Sequence, residues 1–263
     1  MQNKPVPNSY PGGKSGAGIY QRLINLIPRH RILIVPFAGH CGVTRNIKSA
    51  EHTIVIDANP AVCQWWFEWS RSKHGRDLEI HHCDGIDWLK YNLGCTVLRE
   101  WNHASRDPDA RWLVSRPTDE SVAEAFVFCD PPYVMSQRAT GKIYECELSD
   151  SDHQRFLGTV TRLDASKYSV MICGYDCDLY SPLDDWQSID HRVPTRGGLQ
   201  DERIWMNYQK PVQLHDYRYI GDGRRMRERI RRRQKNWREQ LKRMPVQERL
   251  AMLEVLNSLR KVD

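Results

Sequence analysis

The chain has 263 residues, enough for one large domain or a domain with an appendage, with ordinary globular hydrophobic (40%) and charged (27%) fractions. No run approaches the ~18 apolar residues of a membrane span, and the opening MQNKPVPNSYPGGKSG lacks the apolar centre of a secretory signal, so a cytoplasmic protein is expected. The net charge of +6 is uneven: residues 224–243 hold eleven Lys/Arg against two Glu, a balance of +9 that leaves the remainder at −3. The eight cysteines are scattered without a C-x-x-C pair, which fits a reducing compartment, and no Cys/His grouping has structural-zinc spacing. His81-His82-Cys83 comes nearest, but neighbours on a strand point to opposite faces, so no metal site is expected.

In chain order, the apolar run ILIVPFA (32–38) predicts a buried strand ending in the turn Gly39-His40-Cys41-Gly42. Such a turn lets backbone approach a cofactor closely, and Phe37, Gly39 and Gly42 are its candidate contacts; a turn that merely needs glycine is the plainer alternative. TIVIDAN (53–59) predicts a second strand, with Asp57 about twenty residues beyond the turn, where a carboxylate can accept both hydroxyls of a ribose. A helix is expected over NPAVCQWWFEWSRSK. Asp84, at the end of a further short strand, faces an adenine ring in one reading and is an exposed turn acid before Gly85 in the other. Residues 101–120 are polar and turn-rich and read as a loop or small insertion.

FVFCD (126–130) predicts a third strand, which stops at Asp130-Pro131-Pro132-Tyr133. At ~5% per residue, four fixed residues arise by chance in roughly 0.002 of chains this long, so the signal is specific. The prolines fix φ and remove two amide donors, leaving a stiff tip. Asp130 and the Pro131 carbonyl are then two acceptors suited to an exocyclic amino group, and Tyr133 offers a flat face for a base. SDSDHQRFLGTVTRL predicts a helix opened by Ser149-Asp150-Ser151-Asp152, and YSVMICGY (168–175) a fourth strand. Strands alternating with helices predict an α/β fold with a mostly parallel central sheet, whose ligands bind at the carboxyl ends of the strands.

Through residues 8–208 the sequence resembles the Dam-like adenine-specific DNA methyltransferases: YPGGKS (10–15), PFAGHCG, TIVIDAN, DPPY, MICGYDCDLY and ERIWMNY occur in the family's order. The resemblance implies a Rossmann-like methyltransferase fold and transfer of a methyl group from S-adenosylmethionine to the N6 amino group of adenine in DNA. It implies that Tyr10 and Lys14 contact the methionine part of the cofactor, that Asp57 binds its ribose, and that Asp130 lies between cofactor and target. Only about forty residues separate Asp84 from Val127, so the family's target-recognition insertion is reduced to about 95–122. The short form is similar to enzymes of phages and mobile elements, which implies a bacterial or phage-infected host cell. Methylation of N4-cytosine or of RNA on the same fold is the alternative chemistry. An inactive nucleic-acid-binding protein is the alternative of another class.

The methyltransferase domain is expected over 1–215 and a basic helical extension over 216–263. In the extension Met226, Ile230, Trp237, Leu241 and Met244 form one helical stripe, Pro245 interrupts it, and Leu250, Leu253, Leu256 and Leu259 mark a second helix. Together they predict a hairpin that lays its apolar stripe on the domain or a partner, including a second copy in a homodimer. The expected phosphate contacts, on double- or single-stranded DNA, are Arg138 and Lys142 after the tip and Arg224, Arg225, Arg231, Arg232, Arg233 and Lys235 on the basic helix.

Overall fold

The computed structural model describes residues 12–16, 18–72, 75–93, 123–138, 141–195 and 198–259. Tyr10 and the expected insertion at 95–122 lie outside the described residues. The chain divides into a unit of residues 1–216 and a unit of residues 217–263.

The first unit is built on one seven-stranded sheet. Its elements are α1 (Ile19–Ile24), β1 (His30–Val35), α2 (Gly42–Asn46), β2 (His52–Asp57), α3 (Pro60–Ser70), β3 (Glu79–His82) and α4 (Gly85–Asn92). After these come β4 (Ala123–Cys129), α5 (Asp150–Val160), β5 (Tyr168–Gly174), β6 (Gln187–Thr195) and β7 (Gly198–Met206). The strand order is β3-β2-β1-β4-β5-β7-β6. The first five strands pair in parallel, and β7 enters antiparallel to β5 and to β6. This is the mostly parallel central sheet of the α/β fold expected.

The parallel strands read as unbroken apolar runs because they are buried from both faces. Ile32 to Val35, Ile54 to Ile56, Ala125 to Cys129 and Val170 to Cys173 are all 3% exposed or less. Helix starts follow the local chemistry. Asn59 caps α3 by accepting from the Ala61 amide, with Pro60 in the first turn, where its missing N–H is no loss. Ser149 and Asp152 form a reciprocal capping box on α5, and Asp150 and Asp152 place negative charge at its N-terminus.

One predicted boundary shifts, and one strand pair was not predicted. The first strand ends at Val35 rather than running to residue 38, since Pro36 lacks the donor for the ladder. The β6–β7 pair is not visible as periodicity in the sequence: β7 reads GLQDERIWM, with Asp, Glu and Arg in its middle. Its register, Cys173 with Ile204 and Gly174 with Arg203, brings Glu202 to the carboxyl end of the parallel strands.

The second unit holds α6 (Arg224–Arg243) and α7 (Val246–Leu259), broken at Pro245 as expected. Both helices of the expected hairpin are present, and no residue of either is buried. No helix among the described residues is long and apolar enough to cross a membrane.

Packing is tight where α4 begins under the first strand's exit. A β-carbon at Gly85 would fall 2.0 Å from the Pro36 carbonyl oxygen, a backbone atom that cannot swing away. Gly85→Ala should therefore destabilise the first unit by about 1–3 kcal/mol or more, as overpacking does. A urea unfolding midpoint equal to that of the wild type would contradict this.

Candidate active site

The turn after β1 is held open by hydrogen bonds at both of its ends. Gly39 has φ +43°, a left-handed conformation that suits glycine. Its amide donates to Asp57 Oδ2 at 2.8 Å, and its carbonyl accepts from Trp66 Nε1 at 2.7 Å. The Gly42 amide donates to the Gly13 carbonyl at 2.6 Å, and a β-carbon at Gly42 would meet the Lys14 carbonyl oxygen at 2.8 Å. Gly42 thus serves the site by letting the 12–16 segment lie against the turn.

One pocket opens here, lined by Gly12 and Gly13, Pro36 to Cys41, Asp57, Asp84, Asp130, Pro132 and residues of the 144–148 loop. Asp57 accepts from the Gly39 and Asn59 amides, one on each oxygen, which fixes the carboxylate and leaves further lone pairs for a ligand. Burial pushes its carboxyl above the usual range, against those two amides. Asp84 caps α4 through Oδ1 alone, accepting from Ile86 and Asp87. Phe37 packs edge-on against Phe156 at 5.3 Å. At the rim, His40 stacks on Trp65 at 3.9 Å, and burial and Arg45 lower its pKa to about 4, so it is neutral near pH 7.

The Asp-Pro-Pro-Tyr tip sits at the end of β4, beside β5. Pro131 is buried, Pro132 faces the pocket, and the Tyr133 ring meets Tyr175 edge-on at 4.6 Å. Beneath the tip lies a buried cluster of charged groups. Lys14, with φ +51°, has a side chain 4% exposed. Its Nζ donates to the Tyr133 hydroxyl, lies 3.0 Å from Asp130 Oδ1, and lies 3.3 and 3.4 Å from the two Glu202 oxygens. Tyr133 in turn donates to Asp130 Oδ1 at 3.2 Å.

Lys14 was expected at the methionine carboxylate of the cofactor. In the structure its ammonium, with three donors, is surrounded by Asp130, Tyr133 and Glu202. It does not line the pocket. Burial opposes its charge, but Asp130 and Glu202 hold it protonated.

Arg138 departs from expectation. Instead of facing a phosphate it is buried, with a side chain 4% exposed. It donates to the Tyr133 carbonyl, by Nε at 2.6 Å and also by Nη2, and makes two bonds to Glu147 at 2.9 and 2.7 Å. Glu147 Oε1 further accepts from the Ile143 and Tyr144 amides, both at 2.9 Å. Burial works against its charge, yet Arg138 and these amides hold its carboxyl below the usual range. The pair thus ties the tip to the loop that supplies Tyr144, Cys146 and Leu148 to the pocket. The same loop is pinned again where Asn59 Nδ2 donates to Glu145 Oε2 at 2.8 Å. Lys142 is exposed on this loop, and Arg224, Arg225, Arg231, Arg232, Arg233 and Lys235 all lie on α6 in the second unit.

The structure therefore brings Phe37, Gly39, Asp57, Asp84, Asp130 and Pro132 around one pocket. Glu202, Glu147 and Tyr144 were not singled out from the sequence. Glu202 stands between Asp201 and Arg203 in DERIWM, so no sequence signal separates it from its charged neighbours.

No protein-family model matches the chain, and no curated protein does. Solved structures resemble it in part. A candidate methyltransferase from Escherichia coli is 13% identical with a TM-score of 0.44, over 77% of this chain and 90% of that one. A protein from Legionella pneumophila gives 9% identity and 0.43, over 77% and 88%. A candidate methyltransferase from Streptococcus mutans, solved with S-adenosylhomocysteine, gives 10% and 0.38, over 71% and 94%. Likeness at this level says nothing of activity.

Removing one partner of a buried ion pair strands the other, which typically costs about 3–5 kcal/mol. Arg138→Ala should lose stability on that scale by urea unfolding, and Glu147→Ala similarly. If either loses under about 1 kcal/mol, within the range of an exposed pair, the pair does not anchor the loop.

Proposed function

We propose that the protein transfers a methyl group from S-adenosylmethionine to the N6 amino group of adenine in DNA. The observation that supports this most is the position of Asp130: a rigid acceptor at the end of β4, lining a pocket whose other acids are Asp57 and Asp84. The pocket suits the cofactor on its own residues. Asp57, fixed by two amides at 2.8 Å, suits vicinal ribose hydroxyls. Asp84 suits the adenine amine, and Phe37 and the glycine turn give apolar walls and close backbone.

When bound, the cofactor supplies an electrophilic sulfonium methyl. The protein then has to align and polarise the nucleophile. Asp130 and the Pro131 carbonyl accept the two N–H bonds of the target amine, which orients its lone pair and stabilises the positive charge that develops there. The known contacts of Asp130 fall on Oδ1, from Lys14 and Tyr133, which leaves Oδ2 as the acceptor for the amine. The Arg138 bonds to the Tyr133 carbonyl keep the tip from yielding when a base presses on it. The adenine must leave the duplex to reach this depth.

The basic helix α6 is the proposed phosphate-gripping element, and its +9 balance gives affinity without sequence preference. A partner role for α7, including self-association, belongs to the same proposal.

Two experiments test this. Protein, labelled cofactor and DNA are incubated, and the DNA is digested to nucleosides. N6-methyladenine is expected with the wild type, and a loss of at least about 100-fold with Asp130→Ala, the scale on which a transition-state acceptor acts. No methylated nucleoside on any DNA or RNA would sink the activity, and equal rates would sink the role of Asp130. Deleting 217–263 should weaken DNA binding and flatten its dependence on salt; unchanged affinity and slope would remove α6 from the interface.

A further inference from the structure

Glu202 is a charged side chain that the proposed chemistry does not itself require, yet it sits in the core. It is 6% exposed on β7, and across the ladder it faces His191, itself 5% exposed. The His191 Nε2 atom is 3.6 Å from Glu202 Oε2, and neither ring nitrogen has a hydrogen-bond partner. Burial lowers the His191 pKa and so weighs against a charged ring that would offset the carboxylate. The cation that does is Lys14, and it is shared with Asp130.

A buried carboxylate is costly unless its charge and lone pairs are met. Here one ammonium serves two carboxylates, so with both ionised the cluster carries an excess negative charge. The other ionisable groups around Asp130 are neutral near pH 6: burial pushes up the thiols of Cys41, Cys129 and Cys173 and the phenols of Tyr133, Tyr144, Tyr175 and Tyr180. The charge of Arg138 is matched by Glu147. Lys14 and Glu202 are thus the two charges that govern Asp130.

We propose that Glu202 is a positioning residue for this reaction, acting through Lys14 to fix the orientation and the charge of Asp130. The inference rests on the function proposed above. By holding the ammonium from the β7 side, Glu202 keeps Lys14 beneath the tip and directed at Oδ1. By its own negative charge it opposes ionisation of Asp130, which borders the pocket. Burial raises the Asp130 carboxyl to about 6, with Lys14 opposing the rise and Glu202 adding to it. Above that pH the group is an acceptor for the amine; below it the group is protonated. Methyl transfer should therefore fall as pH drops through about 6.

The first readout needs no cofactor. In 13C-labelled wild-type protein, with Asp130→Asn to assign the signal, the Asp130 carboxyl carbon is titrated by NMR. A midpoint near 6 is expected, with the Glu202 carboxyl carbon responding at the same midpoint. In Glu202→Gln the Asp130 midpoint should move to lower pH, whereas Glu202→Asp, which keeps the charge, should stay nearer the wild type. The acidic limb of kcat/KM against pH should shift in the same order. An unmoved Asp130 midpoint in Glu202→Gln would overturn the inference. Should that variant not fold, a Glu202 carbon silent to Asp130 in the wild type would overturn it equally. A wild type that titrates as expected but methylates nothing would leave the electrostatic coupling standing and refute the proposed activity.

Discussion

The Lys14 ammonium, held between Asp130, Tyr133 and Glu202, is the contact on which the rest of the site depends. Asp130 ends a strand buried on both faces, and Glu202 enters from the antiparallel strand β7. Neither carboxylate would be tolerable there alone, because a buried charge costs several kcal/mol unless it is paired. Lys14 has to reach them from the chain's N-terminal segment, far away in sequence. It does so because that segment lies against the glycine turn, where Gly42 donates to the Gly13 carbonyl and has no β-carbon to obstruct it. The need for glycine at position 42 and the charge state of Asp130 are thus two consequences of one packing arrangement.

A second buried pair organises the other side of the tip. Arg138 holds the Tyr133 carbonyl and Glu147 together, and Glu147 gathers two amides of the loop that closes over the pocket. Arginine suits this place because its planar fork can serve a carbonyl and a carboxylate at once, which a lysine cannot do with the same geometry. The tip is therefore braced by Lys14 below and by Arg138 beside it, in addition to the stiffness of its two prolines. A rigid acceptor suits the proposed attack of an amino nitrogen on a methyl carbon, since alignment supplies much of the rate.

Much of this is legible in the sequence. The parallel strands announce themselves as short apolar runs closed by Pro, Asp or Gly, because burial on both faces removes any polar alternation. Their ends marked Asp57 and Asp130, and the sheet brought those residues to a common pocket. What could not be read depends on contacts between distant segments. Arg138 looks like any exposed basic residue until Glu147 is seen beside it, and Lys14 looks like a loop lysine suited to an anion. The β6–β7 pair was missed because strand β7 carries Asp201, Glu202 and Arg203 in succession, which masks the period of two. Arg203 meets Asp190 across the strands and Asp176 beyond them, while Glu202 turns inward to Lys14. The paired charges explain why a strand can hold such residues, but only the fold shows with which partners they pair.

The central claim is that Asp130 and the Pro131 carbonyl receive the amino group of an extruded adenine. A crystal structure of the protein with S-adenosylhomocysteine and an adenine-containing DNA duplex tests it most directly. The account predicts the adenine out of the helix, with its N6 atom at about 2.7–3.2 Å from an Asp130 oxygen and from the Pro131 carbonyl, while Lys14 remains on Asp130 and Glu202. An adenine stacked in the duplex, or an amine bound away from Asp130 with Lys14 turned to the cofactor's carboxylate, would contradict it.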